Sequence, residues 1–362
     1  MFEIKANLHF NEREIQQAEY IESHQLLVLA VLAPSPEPRQ KRQKLKVYNL
    51  KSNKLIMVSP SIPLSPFCLD TVYKKSLFFL DKNPSIIFFP CFHKPQPLSS
   101  LPSDYYYKVV VSPLLNSYVL TGEFNGLYLI DLLQPNKVTQ IELPWYQRKE
   151  QVVKNILILE GRKWAALVFD GDNYIYICKG DFSELVTVIK ECDRELHFYK
   201  NDMITILSAD TQGRRLIAFT KKGRLYEFQL YKDDVTFLGG LMAESYVATK
   251  WINVISQIDN EGNEDFVQVM ISAYDGKIIY DLKYKQLWGE VGSFMLRGSA
   301  DLEFALPIKA KPDLFFYPIY RSNKLVLVLL RIKWRLSEYT PINKSLVDEK
   351  PILTMEGKIP RH

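Results

Sequence analysis

A short apolar strand, a tight turn and a second strand rich in tyrosine and leucine recur down this chain, at intervals of roughly 40 to 53 residues. The clearest copy is SYVLTGEFNGLYLIDL at residues 117–132, with Asn125 and Gly126 between its two β-type runs. Glycine supplies the positive φ that such a turn requires, so the segment predicts a pair of antiparallel strands. The turn glycines Gly126, Gly171, Gly223 and Gly276 are 45, 52 and 53 residues apart (171 − 126, 223 − 171, 276 − 223). That spacing suits one four-stranded sheet plus variable loops.

Counting units gives seven, over residues 16–62, 65–98, 106–143, 152–192, 203–239, 249–291 and 303–340. Several of them show four candidate strands in order, which is what a propeller blade needs. No stretch of a dozen residues keeps a helical period, which argues against strands alternating with helices. The expected fold class is therefore all-β: a single β-propeller of seven four-stranded blades over residues 1–345, with a C-terminal tail at 346–362. A pair of β-sandwiches is the competing architecture, and the even repeat spacing disfavours it. The last unit lacks a fourth strand of its own. Residues 2–10 alternate apolar and polar with period two, placing Phe2, Ile4, Ala6, Leu8 and Phe10 on one face. They are expected to supply the missing strand and close the ring.

Composition agrees with a large β domain. Hydrophobic residues make up 47% and aromatics 13%, enough for an extensive core and too many for a disordered chain. Cys68, Cys91, Cys178 and Cys192 are scattered, without the spacing of a disulfide framework, which points to a reduced intracellular chain, cytoplasmic or nuclear. No continuous apolar segment marks a secretory signal or a membrane span, so a soluble protein is expected.

The segments GLYLIDL at 126–132 and GKIIYDL at 276–282 resemble the third strand of a WD repeat, with aspartate near the strand end. The likeness extends over most of the chain as architecture, whereas the Gly-His and Trp-Asp signatures of that superfamily do not occur. It implies a divergent propeller of the WD-repeat-like kind. Residues 275–288 are also similar to one repeat of the pyrroloquinoline-quinone type, but that pattern, ending in Trp288, occurs once.

Motifs for chemistry are sparse. Cys91 and His93 form the only close Cys/His pair and have no second pair to complete a tetrahedral metal site. There is no GxSxG, GxGxxG or GxxxxGK[ST], so no catalytic residue, cofactor or metal is assigned. Asp170, Asp172, Asp210 and Asp275 lie at turns, where aspartate ordinarily satisfies nearby backbone groups. Gathered over a channel mouth they would instead hold a cation, as in a propeller hydrolase or lyase.

Three surface candidates remain. The first is a proline-rich basic loop at 34–46 carrying Arg39, Lys41, Arg42 and Lys44. It suits a nuclear import signal, an acidic partner, nucleic acid, or simply solvent. The second is an aromatic connector at 92–107 ending in Tyr105, Tyr106 and Tyr107. The third is a final strand at 328–336 whose alternation sets Arg331, Lys333 and Arg335 on one face, to meet an acidic surface or to protect an outer edge from aggregation. The expected function is a non-enzymatic scaffold for protein–protein interaction within an intracellular complex. A nucleic-acid-associated propeller is the alternative, consistent with a net charge of +5.

Overall fold

The computed structural model describes residues 2–10, 15–21, 24–34, 41–52, 54–63, 67–73, 75–80, 84–88, 96–102, 104–122, 126–147, 152–171, 174–189, 203–210, 213–221, 224–231, 235–242, 251–258, 264–273, 276–281, 286–290, 306–307, 314–321 and 324–332. Its strands in chain order begin with β1 (Phe2–Phe10), β2 (Ile15–Ile21), β3 (Leu26–Ala33), β4 (Arg42–Asn49), β5 (Lys54–Val58) and β6 (Ile62–Pro63). Next come β7 (Phe67–Leu69), β8 (Ser76–Phe79), β9 (Ser85–Phe88), β10 (Gln96–Pro97), β11 (Tyr106–Ser112), β12 (Ser117–Gly122), β13 (Gly126–Asp131) and β14 (Val138–Ile141). They continue with β15 (Val153–Leu159), β16 (Trp164–Phe169), β17 (Ile175–Lys179), β18 (Leu185–Ile189), β19 (Ile204–Ala209), β20 (Arg215–Thr220), β21 (Arg224–Leu230) and β22 (Val235–Met242). The last are β23 (Trp251–Ile258), β24 (Glu264–Ala273), β25 (Gly276–Asp281), β26 (Gln286–Glu290), β27 (Leu306–Pro307), β28 (Leu314–Arg321) and β29 (Lys324–Ile332). Among the described residues no helix is long and apolar enough to cross a membrane.

The chain divides into two compact units, one from Ile21 to Glu244 and the other from Met1 to Tyr20 with Ser245 to His362. In the first, each sheet is an antiparallel meander: β7 to β10, β11 to β14, β15 to β18 and β19 to β22, each in chain order across the sheet. The sheet that contains β3, β4 and β5 precedes them, with β6 returning to pair β4 at Arg42 and Gln43. Apolar residues at alternate positions are buried between consecutive sheets. Leu45 and Val47 of β4 pack with Leu77 and Phe79 of β8, Phe78 packs with Tyr118 and Tyr128, and Val119 and Leu127 pack with Leu167 and Phe169. Burying each of these side chains is worth about 1.5–3 kcal/mol. The Tyr118 hydroxyl also donates to the Ser76 carbonyl oxygen at 3.1 Å, tying one sheet to the next.

In the second unit, β23 to β26 form one sheet and β1-β29-β28-β27 another. The N-terminal strand lies antiparallel to β29 from Phe2↔Ile332 to Phe10↔Leu325, with a register shift between Ile4 and Ala6. Because β29 also pairs β28 over its full length, it is an inner strand. The expectation that its cations guard an outer edge is corrected: β1 occupies the side that would have been exposed. Arg331 lies in β29 opposite Glu3, and Lys333 and Arg335 lie outside the described residues.

Two further expectations change. The basic loop is shorter than 34–46, because Arg42, Lys44 and Lys46 are strand residues of β4, opposite Ala33, Val31 and Leu29 of β3. Gln43, Leu45 and Val47 alternate with them and are buried, so the period-two pattern extends the strand into the charged run. The connector at 92–107 contains β10, a two-residue strand that completes its sheet against β9. The β12–β13 hairpin pairs Gly122 with Gly126, so three residues separate the strands, and Gly126 has φ of +78°.

Candidate interaction surface

The first strands of three successive sheets begin with the same irregularity. Between β11 and β12 the register passes from Tyr106↔Gly122 to Lys108↔Thr121, leaving Tyr107 as the extra residue. The same shift leaves Lys154 extra in β15 and Thr205 extra in β19. A bulge bends its strand and re-aims the extra side chain. Here the result is a contact between neighbouring sheets: the Lys154 ammonium lies 3.7 Å from the Tyr107 ring centroid and 3.5 Å from Asp170 Oδ2. Burial alone lowers the Lys154 pKa, but the Tyr107 hydroxyl and the Asp170 carboxylate outweigh it, and the ammonium is held above its ordinary value. At this exposure the cation–π contact is worth about 0.5–1 kcal/mol.

Asn155, buried beside Lys154, extends the link in both directions. Its Oδ1 accepts from the Lys108 ammonium of β11, and its Nδ2 donates to the Thr205 carbonyl of β19 at 3.0 Å. One carboxamide thus spans three first strands, and it reaches the backbone of the third where the bulge interrupts the ladder. At the same strand starts, the β14-to-β15 connection lays Tyr146 against Phe169, ring centroids 3.7 Å apart, while the Trp145 indole reaches the carbonyl of Phe182 in the β17–β18 turn and donates to it at 3.0 Å.

The tyrosine run enters this region with divided roles. Tyr105 is 57% exposed, its amide held by Asp104 Oδ1 at 2.7 Å. Tyr106 is half-buried: its hydroxyl donates to the Pro102 carbonyl at 2.6 Å and its ring meets the Tyr128 ring edge-on. Burial first, then Tyr128 and Asp104, push the Tyr106 hydroxyl well above its ordinary pKa. Tyr106 is therefore a packing residue and Tyr105 the side chain presented to solvent. The structure adds Lys154 and Asn155 to Tyr107, signalled as the end of the tyrosine run, and Asp170, signalled as a turn aspartate. Lys154 and Asn155 carry no local motif, because their partners on the neighbouring sheets are 47 to 50 residues away.

The basic hairpin lies on a different sheet. Lys41 is exposed, and Arg39 lies outside the described residues. Arg42 donates to Ser61 through Nε (to Oγ, 3.0 Å) and Nη2 (to the carbonyl, 2.6 Å), fixing the path of the chain from β5 to β6. Beside it, β5 is the last strand of its sheet and leaves Leu55, Ile56 and Val58 at 45%, 52% and 45% exposure. Elsewhere Asp210 closes its turn, its Oδ1 accepting from the amides of Arg214 and Arg215 at 2.6 and 2.9 Å. Asp170 serves the Lys154 contact instead, and Asp172 and Asp275 lie outside the described residues, as do Cys91 and His93.

No family model matches the chain, and no curated protein matches its sequence. Among solved structures it is similar to the crystal structure of the Cps50 (Swd1) β-propeller domain of Myceliophteria thermophila. The TM-score is 0.61 at 10% identity, over 92% of this chain and 100% of that one. At such identity the likeness is one of fold.

Proposed function

We propose that this divergent, WD-repeat-like β-propeller is a non-enzymatic scaffold that docks other proteins within an intracellular complex. Seven blades over residues 1–345, with 2–10 as the strand that completes the last of them, form the platform, and 346–362 is a tail. The pairing of β1 with β29 supports that closure. The observation that carries the scaffold reading is the set of links among first strands, Tyr107 with Lys154 and Asn155 with Lys108 and Thr205. Sheets joined in this way hold the loops at their strand starts in place before a partner arrives, so docking orders little.

Tyr105, Lys41 and Arg39 are the foremost contact residues in this reading, with Lys44, Arg331, Lys333 and Arg335 as further cations. Arg42 and Tyr106 contribute by shaping the surface. The test is affinity purification with mass spectrometry, comparing the wild type with a chain in which Tyr105 is alanine and residues 35–40 are a Gly-Ser linker. A stoichiometric partner that the altered chain loses supports the reading. Failure of the wild type to retain any stable protein partner overturns it. Only 35–40 are replaced because removing 42–46 would delete five of the eight residues of β4.

A further inference from the structure

One hairpin of this protein is basic without any compensating acid. Residues 38–69 contain seven Lys or Arg and no Asp or Glu, so the remaining residues carry +5 − 7 = −2. That segment includes β4, β5 and β6, and its exposed cations are Lys41 just before β4, Lys51 in the β4–β5 turn and Lys54 at the start of β5. Among the described residues β5 pairs only β4, through Lys46↔Val58, Val47↔Met57, Tyr48↔Leu55 and Asn49↔Lys54. Its other edge offers a row of backbone donors and acceptors.

The side chains on this edge depart from those of the other last strands. In β14 the exposed residues are Thr139 and Gln140, in β10 they are Gln96 and Pro97, and β18 is half-buried throughout. Edges so arranged resist pairing with another chain, through polarity, proline or burial. In β5 Leu55, Ile56 and Val58 stand open, while the other large exposed apolar residues described occur singly, at Tyr105, Leu114, Leu133, Met203 and Tyr231. An unpaired strand edge, exposed aliphatic side chains along it and cations at its start match one kind of ligand.

We propose that β5 is a docking edge for an acidic, extended peptide segment of a partner protein, which adds to the sheet as a further strand; this rests on the scaffold reading. The backbone of β5 supplies the ladder on either side of the register shift at Ile56, the exposed Leu55, Ile56 and Val58 meet aliphatic residues of the peptide, and Lys51 and Lys54 meet its carboxylates. The aliphatic character of the edge favours a peptide over single-stranded nucleic acid, whose bases stack on aromatic side chains.

The experiment uses the full chain and a fluorescein-labelled eight-residue peptide of alternating valine and glutamate, read by fluorescence anisotropy. Binding is expected, and replacing glutamate with lysine in the peptide is expected to weaken it at least tenfold. N-methylation of alternate peptide amides should do the same while leaving the peptide charge unchanged. Leu55→Lys with Ile56→Lys, and separately Lys51→Glu with Lys54→Glu, should each cost at least tenfold in Kd with unchanged circular dichroism. Equal binding of the N-methylated peptide would overturn strand addition, as would tighter binding of oligothymidylate than of the peptide through the same residues. If the wild type retains a protein partner that the Leu55→Lys, Ile56→Lys chain retains equally, the edge proposal falls and the scaffold stands. If no partner is retained by the wild type, the scaffold itself falls.

Discussion

The two borders of the sheets in residues 21–244 are built on opposite principles. At one border the first strands β11, β15 and β19 lie next to one another, begin with bulges and exchange side-chain bonds across the gap: Lys154 with Tyr107, and Asn155 with Lys108 and Thr205. At the other border the last strands β5, β10 and β14 carry exposed residues, and each differs, from the Pro97 of β10 to the aliphatic Leu55, Ile56 and Val58 of β5. Polar groups at the first border are satisfied by neighbouring sheets, so a change there is felt as stability. At the outer border a change has few protein neighbours to disturb and is felt as recognition.

This contrast is exposed to four tests. The largest effect is expected from removing residues 2–10, which strips β29 of one of its two neighbours along eight register pairs. The melting temperature should fall sharply with loss of a single cooperative transition in calorimetry; an unchanged melt would show that β1 contributes nothing to the stability of its sheet.

Gly180→Ala comes second. A Cβ at Gly180 would lie 2.8 Å from the Lys163 carbonyl oxygen, which already accepts the Gly180 amide at 2.7 Å, and 2.9 Å from a Leu114 methyl. Backbone on one side and a neighbouring sheet on the other leave little room to give. A loss of about 1–3 kcal/mol in urea unfolding is expected. A loss below the error of the measurement would mean that the approach of the sheets here is looser than their geometry indicates.

Lys154→Met keeps the aliphatic stem and removes the charge from between Tyr107 and Asp170. With the side chains about a third and a half exposed, solvent screening limits the loss to about 0.5–1 kcal/mol. Added salt should diminish the difference between variant and wild type. The smallest effect on stability belongs to Ile56→Lys, within about 0.5 kcal/mol, because the side chain is already half in water. A larger loss would place β5 among the structural strands.

Much of the repeat was legible in the sequence because buried strands write themselves as runs of apolar residues bounded by turns. The strand-like runs at 54–58, 117–122, 185–189, 215–220, 224–230 and 251–258 are strands over those same residues. The strands that escaped notice are short or polar: Phe67–Leu69 is three residues, Gln96–Pro97 two, and β2 mixes polar residues into its run. Such segments become strands only because a neighbouring strand offers its free edge. The basic run at 39–46 misled for a related reason. Its charges suggested a loop, while the buried Gln43, Leu45 and Val47 between them follow the two-residue period of β4.

The site was less legible than the fold. Tyr105 and Tyr106 stand side by side in sequence and read alike, yet one faces solvent and the other is held by Pro102 and Tyr128. Nothing in the residues near Lys154 or Asn155 announces partners one sheet away on either side. A strand's own alternation says which side chains share a face, but not what another sheet brings against that face.

The sequence by itself determined the repeating strand-turn-strand unit, the apolar face of each strand and the acid-free basic stretch at residues 38–69, since all three are properties of residue order. The tertiary structure decided which strand lies between which, that β29 is flanked on both sides, that three bulged strands meet through Asn155 and Lys154, and that β5 keeps an open edge. Those outcomes depend on pairings across tens or hundreds of residues, where burial and backbone hydrogen bonding are settled jointly by both partners and belong to neither segment alone.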